Sequence, residues 1–366
     1  MKYKIITLVS IIVIVVVGSV IYKEKSVDTP EKPVIKIGYI LPLSGNVAFL
    51  GEGVKNAVLL AVEEAQKKNT KYTYEAVFED DGFVPARTVS AFQKLVDYDK
   101  VQAVVTFASA AGSAVNPLAE KNKIIHFGIA SDPNIAKGDY NFINWTPPVE
   151  EIGLFVKEAE KRQIKKIAVF GQQISGITEM IKELKKQISG TDIEIVYESV
   201  TSFGTKDFRT QVSQLKNSGA DYTVLMMFSP ELEVLTKQIR EAGVKIPLTS
   251  IESFELSDNP GMFENLWYVN AADPTSGFTK MYSDKFQKNP SIATPNGYDI
   301  LGIIVEATES IEKKSLPNTS DITQALLRIN NYNGALGNGL KIDADGLVVS
   351  KAVLRIIQDG KSVTIQ

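Results

Sequence analysis

From Val34 onward, short runs of β-branched residues alternate with amphipathic stretches of helical spacing, and few architectures accommodate that order. The pattern is that of a parallel sheet covered by helices on both faces. Val34–Leu41, Tyr74–Glu79, Val101–Phe107 and Lys123–Phe127 read as the strands of one doubly wound unit. Between them Glu52–Lys68 and Pro85–Tyr98 have helical spacing, with Val54, Ala57, Val58, Ala61 and Ala65 on one apolar face.

After Asn144-Trp145-Thr146-Pro147-Pro148 the alternation begins again. Strands are expected at Lys166–Phe170, Ile193–Ser199, Tyr222–Met227 and Lys245–Ser250, with helices at Ile177–Ile188, Asp207–Asn217 and Glu231–Ala242. Two adjacent prolines suit a connection between lobes better than the interior of a core element. The region from about Asp273 to Asn330 is helical, and Val348–Ile357 and Ser362–Ile365 return to β character. With 366 residues, 44% of them hydrophobic, the chain has enough apolar surface for two cores. The late helices are therefore assigned to the first lobe and the last strands to the second. The expected fold is α/β, two doubly wound parallel-sheet lobes: 34–145 plus 273–338, and 146–272 plus 339–366. Several crossings between them make a hinge.

The start of the chain is of another kind. Met1-Lys2-Tyr3-Lys4 is basic, and Ile5 to Tyr22 carries no charge. At about 1.5 Å per residue such a helix reaches roughly 27 Å, close to the ~30 Å hydrocarbon core. Length suits a secretion signal or a membrane anchor equally; the bulky Ile21-Tyr22 after Val17-Gly18-Ser19 favours an anchor over residues 1–22. Residues 23–33 (KEKSVDTPEKP) form a polar, proline-bearing tether. Either outcome puts the remainder on the outer face of the cytoplasmic membrane, anchored or released into the cell envelope.

Signatures of catalysis are scarce. The single histidine, His126, lies in the apolar run Ile124-Ile125-His126-Phe127 and reads as structural. One histidine and no cysteine give neither a zinc set nor disulfides, so no metal or cofactor is expected. The connection from Gly38 to Gly53 lacks the glycine spacing of a dinucleotide fingerprint, and no P-loop motif occurs. Gly334–Gly339 and Asp343-Ala344-Asp345-Gly346 read as turns. Charge is spread evenly around a net −3, which argues against nucleic acid as a partner. The acids Glu79-Asp80-Asp81, Glu252 and Glu255 read as caps or turn residues rather than a catalytic pair.

The motifs themselves point to a family. Ile37-Gly38-Tyr39, Pro42-Leu43-Ser44-Gly45, Gly51-Glu52-Gly53, Glu79-Asp80-Asp81, Ala130-Ser131-Asp132-Pro133, Asp207-Phe208, Gly219-Ala220-Asp221 and Gly297-Tyr298-Asp299 follow in an order that resembles the leucine/isoleucine/valine-binding type of periplasmic binding protein. The resemblance runs from about Val34 to Gly346. It implies a solute-binding receptor with three crossover segments, which closes around a small amino-acid-like ligand and delivers it to a membrane permease driven by two ATPase subunits. A membrane-tethered sensor signalling to a partner protein is the alternative, and no enzymatic activity is implied.

By the same resemblance Ser109 and Ser131, with Ala130 and nearby backbone amides, would hold a ligand carboxylate, and Glu252 would receive an ammonium. The alternatives are helix caps for the serines and an exposed loop acid for Glu252. Positions that wall the pocket with aromatic rings correspond to Leu50 and Ile174, while Phe228 keeps the aromatic character and could equally be core. Tyr298 is expected at the pocket edge or in packing.

Overall fold

The computed structural model describes residues 32–365 apart from 46, 258, 313 and 314, and the membrane segment expected at 1–22 and the tether to residue 31 lie outside these described residues. Strands β1 (Val34–Leu41), β2 (Thr73–Asp80), β3 (Ala103–Phe107), β4 (Ile125–Ile129) and β5 (Asn141–Ile143) form an all-parallel sheet in the order β2-β1-β3-β4-β5. Helices α1 (Ala48–Lys67), α2 (Pro85–Lys94) and α3 (Ser109–Asn122) make its crossovers. The second lobe opens with α4 (Pro148–Lys161) and carries β6 (Lys166–Gln172), α5 (Ser175–Ile188), β7 (Glu194–Thr201), α6 (Arg209–Lys216), β8 (Tyr222–Met226), α7 (Glu231–Glu241), β9 (Leu248–Ile251) and β10 (Trp267–Ala271). Its parallel strands run β7-β6-β8-β9-β10, the same winding as the first sheet.

The chain then returns to the first lobe through α8 (Ser276–Phe286), α9 (Thr294–Glu309), α10 (Thr319–Leu326) and a small antiparallel sheet of β11 (Tyr332–Gly334), β12 (Gly337–Ile342) and β13 (Val348–Val349). It ends with β14 (Ala352–Gln358), antiparallel to β10, and β15 (Lys361–Thr364), antiparallel to β14. The boundary expected at 339 is corrected by this arrangement. Leu340, Ile342 and Val348 pack in the core of the first lobe, so the last crossing comes after Val349. The stretch of β character expected over Val348–Ile357 is two strands in two sheets, broken at Ser350-Lys351.

Strand periodicity explains the cores. Side chains alternate across a sheet, so Ile35, Ile37, Tyr39 and Val105 face one layer with α1 and α9, while Ile40 and Val104 face the other with Phe92 and Val115. In the second sheet Ile167 and Val169 pack on Phe155 and Leu184, and Ala168 and Phe170 on Val212 and Leu235. Both faces are thus covered, and only the ends of the strands remain free for a ligand. His126 sits inside the first sheet, its Nε2 and Nδ1 each 2.8 Å from Thr106 Oγ1 and Asn141 Oδ1, and burial pushes its pKa down to about 4.

Among the described residues the chain crosses between sheets at 144–147, 272–275 and 350–351. The crossings are tied together: Thr146 Oγ1 lies 3.0 Å from Ser350 Oγ, and Ala272 N donates to Lys351 O. Asn144 and Asn296 exchange side-chain-to-backbone bonds at the same place. Among the described residues no helix is long and apolar enough to cross a membrane.

The close seating of α1 on the loop after β1 depends on Gly51, where a Cβ would lie 2.2 Å from the Pro42 carbonyl oxygen. Because the obstacle is backbone, Gly51→Ala should cost about 1–3 kcal/mol and lower the thermal midpoint by several degrees. Differential scanning calorimetry that shows no change would contradict this packing.

Candidate functional site

In a doubly wound sheet the order of strands reverses at one point, and the loops on either side splay apart at the carboxyl ends. The first lobe has this point between β1 and β3, the second between β6 and β8. Ser109 follows β3, Ile174 follows β6 and Phe228 follows β8, so each flanks such a point. Ala130 and Ser131 follow β4, and Glu252 follows β9.

The two lobes touch here. A Cβ built on Gly176 would lie 2.0 Å from Ser131 Oγ and 3.1 Å from Ser109 Oγ, so the first turn of α5 rests directly on the two serines of the other lobe. Ser109 is buried and Ser131 half-buried. Ser109 is the first residue of α3, whose first backbone N–H groups have no partner within the helix. Ala108 before it has φ 72°, and Glu252 has φ 65°. Side chains rarely occupy that region, at about 1–3 kcal/mol each, and such strain concentrates where a group must be aimed.

Trp145, in the first crossing, joins the halves. Its ring packs with Ala130, Ile135 and Ile143 of the first lobe, and its indole Nε1–H donates to Glu252 Oε1 at 2.7 Å. A small cavity of about 10 Å³ lies beside Trp145, bounded by Ala130, Ser131, Pro148 and Leu347. Glu252 is buried, and burial raises its pKa, an effect that hydrogen bonds from Trp145 and Glu151 partly offset.

Glu151 stands behind it, in the first turn of α4, and is fully buried. Neither of its oxygens meets an N–H or hydroxyl donor among the described residues; the group it faces is the carboxyl of Glu252. Burial first, and then the charge of Glu252 and a hydrogen bond to it, hold the Glu151 pKa well above the ordinary carboxyl value. Two buried carboxyls that face each other cannot both be ionised without a compensating cation, so burial and the neighbouring charge both favour a proton on the pair.

Of the residues expected at the site, Ser109, Ala130, Ser131, Ile174 and Glu252 are gathered around Gly176 and Trp145. Ile174 is the N-cap of α5, half-buried against the second core. Phe228 packs on the same core, with its N–H bonded to Gln172 Oε1. Leu50 packs against the first core. Of the two places expected for Tyr298 the structure gives packing: its ring lies tilted at 58° to Phe278, centroids 5.1 Å apart, in a cluster with Ala57 and Leu60 where α8 and α9 meet α1. Trp145, Glu151 and Gly176 were not expected. The signal for Trp145 was its place beside the paired prolines.

The sequence matches, over residues 34–361, the family model described as periplasmic binding protein. The leucine-, isoleucine-, valine-, threonine- and alanine-binding protein of Pseudomonas aeruginosa is 25% identical over 325 residues, covering 83% of this chain and 84% of that protein. Among solved structures, a leucine binding protein from Thermotoga maritima superposes with a TM-score of 0.80 at 22% identity, covering 91% of this chain and 98% of the other. The branched-chain amino acid transporter substrate binding protein of Streptococcus pneumoniae, in complex with isoleucine, gives 0.75 at 23% identity, covering 90% and 99%.

Contact of α5 with the two serines leaves no room for a side chain at position 176. Gly176→Val should hold the lobes apart, which hydrogen exchange would read as faster exchange at the starts of α3 and α5 with both cores unchanged. Equal exchange in the variant and the parent would show that the two helices do not meet in solution.

Proposed function

The chain belongs to the periplasmic binding protein family, and on that premise we propose that it is the receptor of an ABC-type importer, closing around an α-amino acid or close analogue and passing it to a permease. Family membership implies an extracytoplasmic location. The basic start and uncharged run to Tyr22 support an anchored form, and the shortage of catalytic groups supports binding without turnover.

The observation that carries the ligand class is the convergence of unlike groups from opposite lobes. Ser109 and Ser131, with free N–H groups at the start of α3, suit a carboxylate. Glu252, buried and held by Trp145, suits an ammonium. A zwitterion enclosed between them has both charges met. Leucine-, isoleucine- and valine-type ligands of the relatives have this chemistry, and the half-buried Ile174 and Phe228 offer apolar surface beside it. The first turn of α5 rests on Ser131 and Ser109, so the lobes must part to admit a ligand between them.

Stranding one buried charge of an ion pair costs about 3–5 kcal/mol. Glu252→Ala should therefore weaken amino-acid binding by roughly two to three decades, each ~1.4 kcal/mol being tenfold. Ser109→Ala should cost less, because the neighbouring backbone donors remain. Titration calorimetry with leucine, isoleucine, valine, threonine and alanine measures both. Wild-type affinity in Glu252→Ala would remove Glu252 from the site.

A further inference from the structure

Glu252 meets a second acid that the ligand-binding reading leaves without a role. We propose that Glu151 is a positioning residue for the cation site: it shares one proton with Glu252 in the ligand-free protein, and the ammonium of the ligand takes the place of that proton. The inference rests on the reading of Glu252 as the acid that receives the ammonium.

Three observations carry it. Glu151 is fully buried and its oxygens have no donor among the described residues, so the carboxyl of Glu252 is the group left to bond with. Glu252 already accepts the Trp145 indole N–H on Oε1, which fixes its orientation and leaves the rest of its carboxyl for Glu151. The neighbouring Glu150, one residue away on α4, is exposed, so burial of the acid at 151 is a property of that position and not of the helix start.

Among the described residues the neighbouring cations are paired with other acids or, like Lys157 on α4, exposed. On β14, Arg355 is held by Glu255 and Asp273; on β10, Tyr268 donates to Glu255. On α5, Lys182 and Lys186 pair with Glu179 and Glu183. Along α4, Lys161 and Arg162 are taken by Glu158 at the far end of the helix. From β9 the facing group is Glu252 itself.

The exchange balances. Before binding, the pair carries one proton and one negative charge. An ammonium that bonds to Glu252 lowers the proton affinity of the carboxyl behind it, the proton leaves to solvent, and two negative charges then face one positive charge, again a net of one negative. Binding thus releases up to one proton while Glu151 is protonated in the free protein. By linkage, affinity rises with pH, by up to tenfold per unit, and levels off above the point at which the free pair ionises.

The same group affects stability with a definite sign. Its carboxyl takes up a proton more readily in the folded chain than at the ordinary value of 4.5. The stabilisation is therefore complete below that value and is lost as pH rises toward the raised one. Asp299, buried in the first lobe and pushed up to about 7, contributes in the same direction, so a substitution is needed to separate the two.

The experiment uses the full chain with leucine as probe. Calorimetry at pH 6 in buffers of different ionisation heat counts the protons released. Wild type should release a substantial fraction of a proton, and Glu151→Gln, a neutral donor of the same shape, should bind leucine with no release and a flat affinity profile across pH. Carbon NMR of glutamate carboxyls in the ligand-free protein should show one group still protonated well above the usual range, absent in Glu151→Gln. A wild type in which every glutamate titrates normally, binding without proton release, or equal release by Glu151→Gln would each overturn the inference, and the NMR result does so even if the variant fails to fold. Absence of any leucine heat in wild type would instead count against the amino-acid reading, and isoleucine, valine, threonine and alanine repeat that control.

Discussion

The indole N–H of Trp145 donates to Glu252 across 2.7 Å, and much else depends on where that bond lies. Trp145 belongs to the first crossing between the sheets, its ring packs on the first lobe, and Glu252 ends a strand of the second. The bond therefore links the hinge, the serine side of the cleft and the acid side. It also determines which carboxyl oxygen remains for Glu151. The crossings are held to one another by Thr146 with Ser350 and by Ala272 with Lys351, so a change in the angle between lobes is transmitted through all of them together.

The fold was largely legible because its driving pattern is local. Runs such as Val34–Leu41 and Lys166–Phe170 alternate inward and outward, and each strand sits between helices whose apolar faces cover it. What was missed had a weak local signal. The helix from Ser109 to Asn122 is rich in small residues and contains Pro117, so it lacks an apolar stripe. The helix that begins at Pro148 was read as part of a connector, yet proline is well suited to a first helical position because its missing N–H has no partner there anyway. Asn141–Ile143 is too short to register, and Trp267–Ala271, just before the return to the first lobe, was not read as a strand.

Ser109, Ser131 and Glu252, the residues proposed to hold the ligand, could be reached through family motifs. Glu151 could not, because an acid in the first turn of a helix reads as a favourable partner of the helix dipole, and the exposed Glu150 beside it reads the same way. Only the rotation of α4 against the second sheet decides which is buried. Gly176 offered no signal either, since its reason is a hydroxyl some 45 residues away in sequence on the other lobe. Tyr298, in contrast, had a motif and still fell in packing, because the helix that carries it turns that ring toward Phe278.

Closure requires that ligand favour the closed arrangement, since a molecule that binds open and closed forms equally shifts nothing. On the proposed reading, Ser109 and Ser131 on one lobe and the acid pair on the other would supply that preference, because a zwitterion meets both sets only when they are brought together. Small-angle X-ray scattering with and without amino acid tests this most directly. The account predicts a ligand-free particle with a larger radius of gyration than the closed body described here, contracting to it as ligand saturates; a radius unchanged by a ligand that calorimetry shows to be bound would contradict it.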